Sequence, residues 1–314
     1  MKFRNKMEKI ARRGQEEMDG VELTISNPFN LMFEICMGNM LNSEWELRHL
    51  SVLVLRELMA HSEFLGFSHS FVMRRNIEAG ARFEFLASTT KEVLALHLQN
   101  EERKRGMIDQ VIGKCLHLLC LDRFADYQTD ESIIIVRMVG AEILSNCFRG
   151  LEGKRQSGLV KMVRRVFERE TRFGKEAGKF TWEVKHSFLY WLKVLVEEDP
   201  SHGKLLCGKL EESFIKMLAN DQVDDITLCI CRIIQSFIGC PFFAGEKIDR
   251  TNRQVWAIVD TLDDISISAR DTLRLLLALF PHFKLSEGTC IDRLRKFFTS
   301  KISEVRLELY RLLG

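Results

Sequence analysis

The side chains best suited to bind a metal or attack a substrate are cysteines and histidines in two patterns. Cys229-x-Cys231 and Cys115-x4-Cys120 place thiols at short spacing, and His49 and His186 each follow Trp-Glu-aliphatic-basic. Zinc needs converging ligands, but residues two apart on a helix point in different directions. Because free cysteine is among the most buried residue types, we interpret the cysteines as core residues. The two histidines are interpreted as packing or hydrogen-bonding residues.

The sequence contains none of the compact motifs that mark nucleotide or zinc hydrolases. No G-x-x-x-x-G-K-[ST] loop, G-x-G-x-x-G turn, H-E-x-x-H helix or G-x-S-x-G elbow occurs. We therefore predict that this chain is not an enzyme. We predict no cofactor, no metal and no small-molecule substrate for it.

Composition indicates a folded, nearly all-helical chain. Of the 314 residues 46% are hydrophobic, which excludes disorder for most of the chain, and only 4 are proline. The 46 Lys and Arg nearly balance the 44 Asp and Glu, so no global basic field points to nucleic acid. Nine scattered cysteines and the lack of an N-terminal apolar segment predict a reducing, intracellular location. No apolar run is long enough to cross a membrane.

The elements that position these side chains repeat along the chain. The segment 43–58 has a partner at 180–195, and both contain Trp-Glu-aliphatic-basic-His followed by apolar residues at helical spacing. Weaker copies also follow an acidic or polar opening. We predict that basic residues hold equivalent positions near the start of these helices: Arg48, Arg137, Lys185, Arg232, Arg270 and Arg306. Most of their intervals lie near the ~40–47 residues of HEAT and armadillo helix pairs.

We predict an all-α, HEAT/ARM-like α-solenoid of about six helix pairs. Each pair consists of a helix A and a helix B, over roughly 28–41/44–60, 108–121/130–148, 154–169/181–197, 203–219/223–238, 249–262/264–279 and 288–298/301–313. Residues 27–314 form the array, and 61–107 form an insertion with a helix over 84–99. Residues 1–26 form a flexible basic segment. No polar capping repeat closes the last pair, which suggests a piece of a longer array.

Three ordered motifs resemble a known family. Pro28-Phe29, Glu34-Ile-Cys36 and Asn42-Ser-Glu-Trp-Glu-Leu-Arg-His49 come first. Cys120-Leu-Asp-Arg-Phe-Ala-Asp-Tyr127 and Trp182-Glu-Val-Lys-His186 follow. Together they resemble the N-terminal HEAT region of the modifier-of-transcription ATPases, the Swi/Snf-type TATA-binding-protein-associated factors. Ala125 stands where that family has glycine, and neither the first repeats nor a motor motif is present.

The resemblance implies a partner and a role. Members of this family bind the TATA-binding protein with the HEAT array, and a latch covers its DNA-binding face. A C-terminal ATPase then removes it from promoter DNA. The resemblance thus implies a nuclear recognition module, with promoter DNA engaged indirectly through that complex. The basic residues before the Pro-Phe motif resemble the end of the latch: Lys2, Arg4, Lys6, Lys9, Arg12 and Arg13.

We expect the partner to contact the loops between helices A and B, which line up along one edge. These loops are acidic, which suits the basic patches expected on the convex face of the TATA-binding protein. The expected contact residues are Trp45, Glu46, Asp126, Asp130, Glu131, Trp182, Glu183, Asp224 and Asp225. The two tryptophans have a second interpretation, as wedges between repeats. The alternative function is a generic HEAT-repeat scaffold or transport-type adaptor with another protein partner, and a further one is direct DNA binding by residues 1–13.

Overall fold

The structure is a computed structural model that describes residues 28–61, 90–120, 134–172, 182–220, 223–263, 265–266, 268–282 and 287–313. Over those ranges it contains twelve α-helices and no strand. The helices are α1 Pro28–Asn39, α2 Trp45–Ala60, α3 Thr90–Cys120, α4 Ile134–Arg149, α5 Gly153–Arg172, α6 Trp182–Glu198, α7 His202–Asn220, α8 Asp224–Gln235, α9 Glu246–Thr261, α10 Ala269–Leu279, α11 Glu287–Leu294 and α12 Ser303–Leu313. Two short 3₁₀ helices, Phe280–His282 and Arg295–Thr299, continue α10 and α11.

The twelve helices form the six predicted A/B pairs. Odd-numbered helices are the A helices and even-numbered helices are the B helices, and both members of every predicted pair are present. Each helix has an apolar stripe that becomes buried only when neighbouring helices stack against it. The predicted all-α, HEAT-like fold class is confirmed.

Helix α3 is longer than predicted. It runs without a break for 31 residues from Thr90 to Cys120, so residues 90–99 of the helix predicted over 84–99 and the helix predicted from 108 belong to one helix. The charged run 101–105 does not interrupt it, because Glu, Lys and Arg are good helix formers whose charges stay in water on an exposed face. Residues 90–107, assigned to an insertion, are therefore helical. Residues 62–89 lie outside the described residues.

The predicted register of the basic residues holds in four B helices and is wrong in two. The fourth helical residue is basic in α2, α4, α6 and α12: Arg48, Arg137, Lys185 and Arg306. In α8 and α10 that position is taken by buried threonines, Thr227 and Thr272. Arg232 is instead the ninth residue of α8 and Arg270 the second of α10. A five-residue offset turns a side chain by roughly 140° around the helix, so Arg232 faces a different neighbour.

The chain divides into two compact units. The first consists of residues 1–118 and 127–147, and the second of residues 119–126 and 148–314. In the first unit, fully buried apolar residues come from all four helices, among them Phe33, Leu55, Val111 and Ile143. Two polar contacts join its helix pairs. Arg56 Nη1 lies 3.1 Å from Glu142 Oε2, and the Lys114 ammonium donates to the carbonyl of Met37.

The second unit stacks its four pairs in two rows. The A helices α5, α7, α9 and α11 pack in sequence, and so do the B helices α6, α8, α10 and α12. Aromatic rings fill the space between rows: Phe214 lies 6.1 Å from Phe167 and 5.9 Å from Phe237, centroid to centroid. Each pair thereby buries the face that its neighbour leaves open.

Ion pairs link successive B helices of the second unit, and we call them the B-helix ladder. Arg232 of α8 lies 3.8 Å from Glu197 of α6 and contacts Asp271 of α10. Arg274 of α10 then contacts Glu308 of α12. Asp271 is fully buried and Glu308 is 2% exposed. The ladder therefore places charged groups inside the stack, each beside an opposite charge.

Candidate partner-binding edge

In a stack of helix pairs, every A–B connection emerges on the same side of its unit. We call these connections and the first turns of the B helices the A–B edge. The connections at 40–44 and 300–302 are described in full, that at 262–268 except for residues 264 and 267, and that at 221–223 only at residue 223. Those at 121–133 and 173–181 lie outside the described residues.

The first connection is held by a buried arginine. The amide of Glu44 donates to Asn42 Oδ1 at 2.9 Å, which closes a tight turn before α2. Arg48, only 2% exposed, donates from Nη1 to the Asn42 carbonyl at 2.7 Å. A backbone carbonyl of the loop thus accepts a hydrogen bond from a buried side chain of α2, which fixes the loop against the helix.

The last connection repeats this design. The amide of Ile302 donates to Ser300 Oγ at 3.2 Å, and Arg306 donates to the Ser300 carbonyl. In both repeats a turn-forming side chain lies six residues before the arginine in the fourth helical position. Sequence reasoning missed this [Asn/Ser]-x5-Arg signal, although both members are visible in the sequence.

The connection at 262–268 is braced against the neighbouring repeat. Ser268 Oγ donates to Asp224 Oδ1 at 3.0 Å. Asp224 therefore has a structural task, because it ties the start of α8 to the start of α10. Its neighbour Asp225 lies half-buried in the same first turn and makes no hydrogen bond or ion pair with any described residue.

Two large apolar side chains stand out on the A–B edge. Trp45 is 44% exposed, and its ring lies 6.1 Å from that of His49 on the next turn of α2. Ile265 is 63% exposed at the tip of the 262–268 connection. An aromatic ring packed on one side and open on the other is the usual form of a protein-binding anchor.

The edge also carries unpaired carboxylates. Glu46 and Asp263 are exposed, and neither side chain has a hydrogen bond or ion pair within the ranges that the structure describes. Glu304 is the second residue of α12, where its own backbone amide and the Ser303 hydroxyl lower the pKa of its carboxyl. Acidic residues in the first helical turn also interact favourably with the helix dipole. Glu46 and Glu304 therefore stabilise their B helices while presenting negative charge, and Asp263 adds negative charge from the 262–268 connection.

The remaining predicted site residues cannot be placed. Trp182 and Glu183 begin α6, but their side chains are not among those described. The others lie outside the described residues: Asp126, Asp130 and Glu131 in one connection, and Lys2, Arg4, Lys6, Lys9, Arg12 and Arg13 in the N-terminal segment.

The cysteines within the described ranges are buried, as interpreted, except for Cys120, which is exposed at the end of α3; its interpretation as a core residue is wrong. Cys229 and Cys231 are buried in α8, where burial raises the pKa of each thiol to about 12. His186 packs its ring 6.2 Å from Tyr190, as His49 does against Trp45. Among the described side chains no three metal-binding residues come together. No helix in these ranges has the length and apolar character of a membrane span.

Comparison with known proteins gives similarity along nearly the whole chain. No family model matches it. The TATA-binding protein-associated factor mot1 of Aspergillus fumigatus is 25% identical over 313 residues, covering 91% of this chain and 15% of the relative. MOT1 of Saccharomyces cerevisiae is 22% identical over 305 residues, with the same coverage. The TATA-binding protein-associated factor 172 of Homo sapiens is 21% identical over 298 residues, covering 91% of this chain and 14% of the relative.

A solved structure agrees with these relatives. The crystal structure of the Mot1 N-terminal domain in complex with TBP matches 99% of this chain and 34% of that chain, with a TM-score of 0.53 and 17% identity. At this identity the match establishes the fold. The chain spans about a seventh of the length of its curated relatives. The resemblance predicted from the motifs is confirmed: this chain is similar to the Mot1-type TATA-binding-protein-associated factors over nine-tenths of its length, and it has the fold of the Mot1 N-terminal domain.

Proposed function

We propose that this chain is a recognition module that binds the TATA-binding protein through its A–B edge. The similarity to the Mot1 N-terminal domain, which was solved in complex with TBP, carries the proposal. The relatives are also named for association with that protein. The edge adds a physical means of binding, because fixed loops present an aromatic anchor and unpaired carboxylates.

The chemistry of the edge selects a basic partner surface. Glu46, Asp225 and Asp263 lack cationic partners within the described part of the chain, so a cationic surface would gain their interaction without breaking existing ion pairs. In the first unit, Trp45 would supply an apolar contact beside Glu46, since its ring is packed on His49 and loses little freedom on binding.

The direct test is binding to the immobilised core of the TATA-binding protein. The full chain is titrated with and without a duplex containing a TATA element. We expect saturable binding without DNA. We also expect competition by the duplex if residues 1–26 act as a latch over the DNA-binding face. No binding at micromolar concentration would overturn the proposal and favour the generic HEAT-repeat scaffold.

A charge-reversal pair locates the contact. We expect E46K/D225K to weaken binding by about 10-fold, because each reversal converts an attraction of up to about 1 kcal/mol into repulsion. E246K/D249K is the control, since it also reverses two acids in the first turn of a helix; both of these are exposed, whereas Glu46 is exposed and Asp225 half-buried. That helix is α9, whose first turn lies on the opposite edge. Equal losses in the two variants would rule out the A–B edge.

The aromatic anchor has its own matched pair. W45A removes a 44% exposed ring from the A–B edge, and F242A removes a 64% exposed ring from the connection between α8 and α9 on the opposite edge. We expect W45A to lose at least 10-fold in affinity and F242A to bind like the wild type. The triple reversal D126K/D130K/E131K extends the test to the connection outside the described residues. Unchanged affinity in W45A and in the triple variant would reject these contacts.

The proposal assigns recognition, and no ATP hydrolysis, to these 314 residues. The absence of a phosphate-binding motif from the sequence supports this. ATP turnover by the purified chain, stimulated by DNA, would contradict it. A regulator of promoter-bound TATA-binding protein acts in the nucleus, and imaging of the tagged full-length protein tests that location.

A further inference from the structure

One face of the second unit carries cations that form no ion pair with a described carboxylate; Glu168, which lies on the same side of α5, is paired with Arg164. Lys154, Lys161 and Arg165 lie on one stripe of α5, because offsets of seven and four residues return to the same side of a helix. All three side chains are exposed, and none has an ion pair with any described residue. Gly158 lies on the same stripe with open space above its Cα.

The neighbouring A helix adds a fourth cation to this stripe. The ammonium of Lys209 in α7 donates to Ser157 Oγ of α5, which holds it against the stripe. Burial and the charge of Lys161 lower the pKa of Lys209. We call Lys154, Lys161, Arg165 and Lys209 the α5 basic patch. Bringing like charges together is unfavourable, so the patch gains stability from an anion.

The rest of the A row is arranged differently. Glu212 of α7 accepts two hydrogen bonds of 3.0 Å from Arg250 of α9, and Glu211 accepts one of 2.6 Å from Lys247. The carboxylates of α7 are therefore neutralised by α9. Towards α5, the same helix presents Lys209. On the α5–α7 face, by contrast, the cations of the α5 basic patch cluster without a described carboxylate partner, in a chain whose net charge is only +2.

The composition of the patch distinguishes between two classes of anionic partner. The exposed residues of α5 are glycines, lysines and arginines, with no exposed aromatic or large aliphatic residue among its described side chains. Protein interfaces need apolar anchors and are depleted of lysine. A phosphate backbone, by contrast, is bound chiefly by lysine and arginine and needs no apolar anchor. From Lys154 to Arg165 the stripe is about 16 Å long, the rise of about five base pairs.

We propose that the α5 basic patch binds the phosphate backbone of duplex DNA directly and without sequence preference. This contact is separate from the A–B edge and needs no TATA-binding protein. Four phosphate contacts give a slope of about −3.6 for the logarithm of affinity against the logarithm of salt concentration. Affinity then falls roughly 100-fold between 50 and 200 mM salt.

The test is fluorescence anisotropy of a labelled 30-base-pair duplex without a TATA element, titrated with the full chain between 50 and 200 mM salt. K154E/K161E/R165E is compared with R253E/R295E/K301E, which removes the same charge from exposed residues of α9 and the α11–α12 region. K2E/R4E/K6E makes the same change in the N-terminal segment. Circular dichroism confirms that each variant is folded.

We expect K154E/K161E/R165E to bind the duplex at least 10-fold more weakly than the wild type at 100 mM salt. The slope of the logarithm of affinity against the logarithm of salt concentration should become less steep by about 2.7. Both other variants should change affinity less than threefold. Three results would overturn the inference: no binding by the wild type at 50 mM salt, equal losses in the α5 and control variants, or loss confined to K2E/R4E/K6E. Equally tight, patch-dependent binding of poly-glutamate would reassign the patch to an acidic protein surface.

Discussion

Removing the charge of Asp271 tests whether the B-helix ladder stabilises the second unit. Asp271 is fully buried in α10. Its Oδ1 forms an ion pair with Nε of Arg232, but the two groups are not oriented as in a hydrogen bond. Asp271 also lies 3.2 Å from Arg270 Nη2 and 4.0 Å from Arg274 Nη1. D271N keeps the size of the side chain and removes its negative charge. Three arginines then surround a neutral amide.

The magnitude follows from the exposure of these arginines. Removing one member of a buried ion pair costs about 3–5 kcal/mol when the remaining charge stays dry. Here the arginine side chains are 24–34% exposed, so water stabilises them in the variant. Arg232 also keeps Glu197 and Arg274 keeps Glu308. We therefore expect D271N to lower the free energy of unfolding by about 2 kcal/mol.

Urea denaturation at pH 7, followed by circular dichroism, measures this change. D249N is the control, because Asp249 is exposed and makes no side-chain ion pair with a described residue. Hydrogen exchange adds a local readout: the amides of α8 and α10 should exchange faster in D271N, and those of α1 and α2 should not change.

A double-mutant cycle with R232Q isolates the pair. We expect a coupling energy of about 1 kcal/mol between Asp271 and Arg232. A urea midpoint for D271N equal to that of D249N, or a coupling near zero, would refute the stabilising role of the ladder.

Two further predictions concern packing and titration. A Cβ at Gly203 would lie 2.6 Å from the Ser236 carbonyl oxygen, so we expect G203A to destabilise the chain by about 1–3 kcal/mol. A Cβ at Gly158 would meet open space, so we expect G158A to stabilise α5 by about 0.5–1 kcal/mol. Chemical denaturation compares the pair, and a neutral G203A would contradict the close packing of α7. Burial raises the pKa of Cys229 and Cys231 from 9.0 to about 12, so above pH 9 the unfolded chain releases protons that the folded chain retains. Between pH 9 and 12 the free energy of unfolding should fall by about 1 kcal/mol per thiol per pH unit. We expect a smaller fall in C231A, which has lost one of the two thiols. An equal fall in the wild type and in C231A would refute this cause.

Much of the fold was predictable because helix pairs carry a periodic signal. Apolar spacing, scarce proline and the recurring Trp-Glu-aliphatic-basic-His segment predicted six pairs, all of which are present. The same segments carried the resemblance that the comparisons confirm. Boundaries were less certain where no breaker marks the start of a helix. Nothing in the charged run at 101–105 stops a helix, and α3 continues through it.

The contacts between repeats were decided by tertiary structure. Sequence spacing suggested equivalent positions for all six basic residues, yet Arg232 pairs with Asp271 of the next B helix while Arg48 holds its own loop. A difference of a few residues changes the direction of a side chain, and only the stacking determines which neighbour lies in that direction. The α5 basic patch depends on stacking in the same way, since Lys209 is far from Lys161 in sequence and beside it in space. The sequence by itself therefore determined the repeat and the family resemblance, whereas stacking determined which charges are neutralised and which remain to bind a partner.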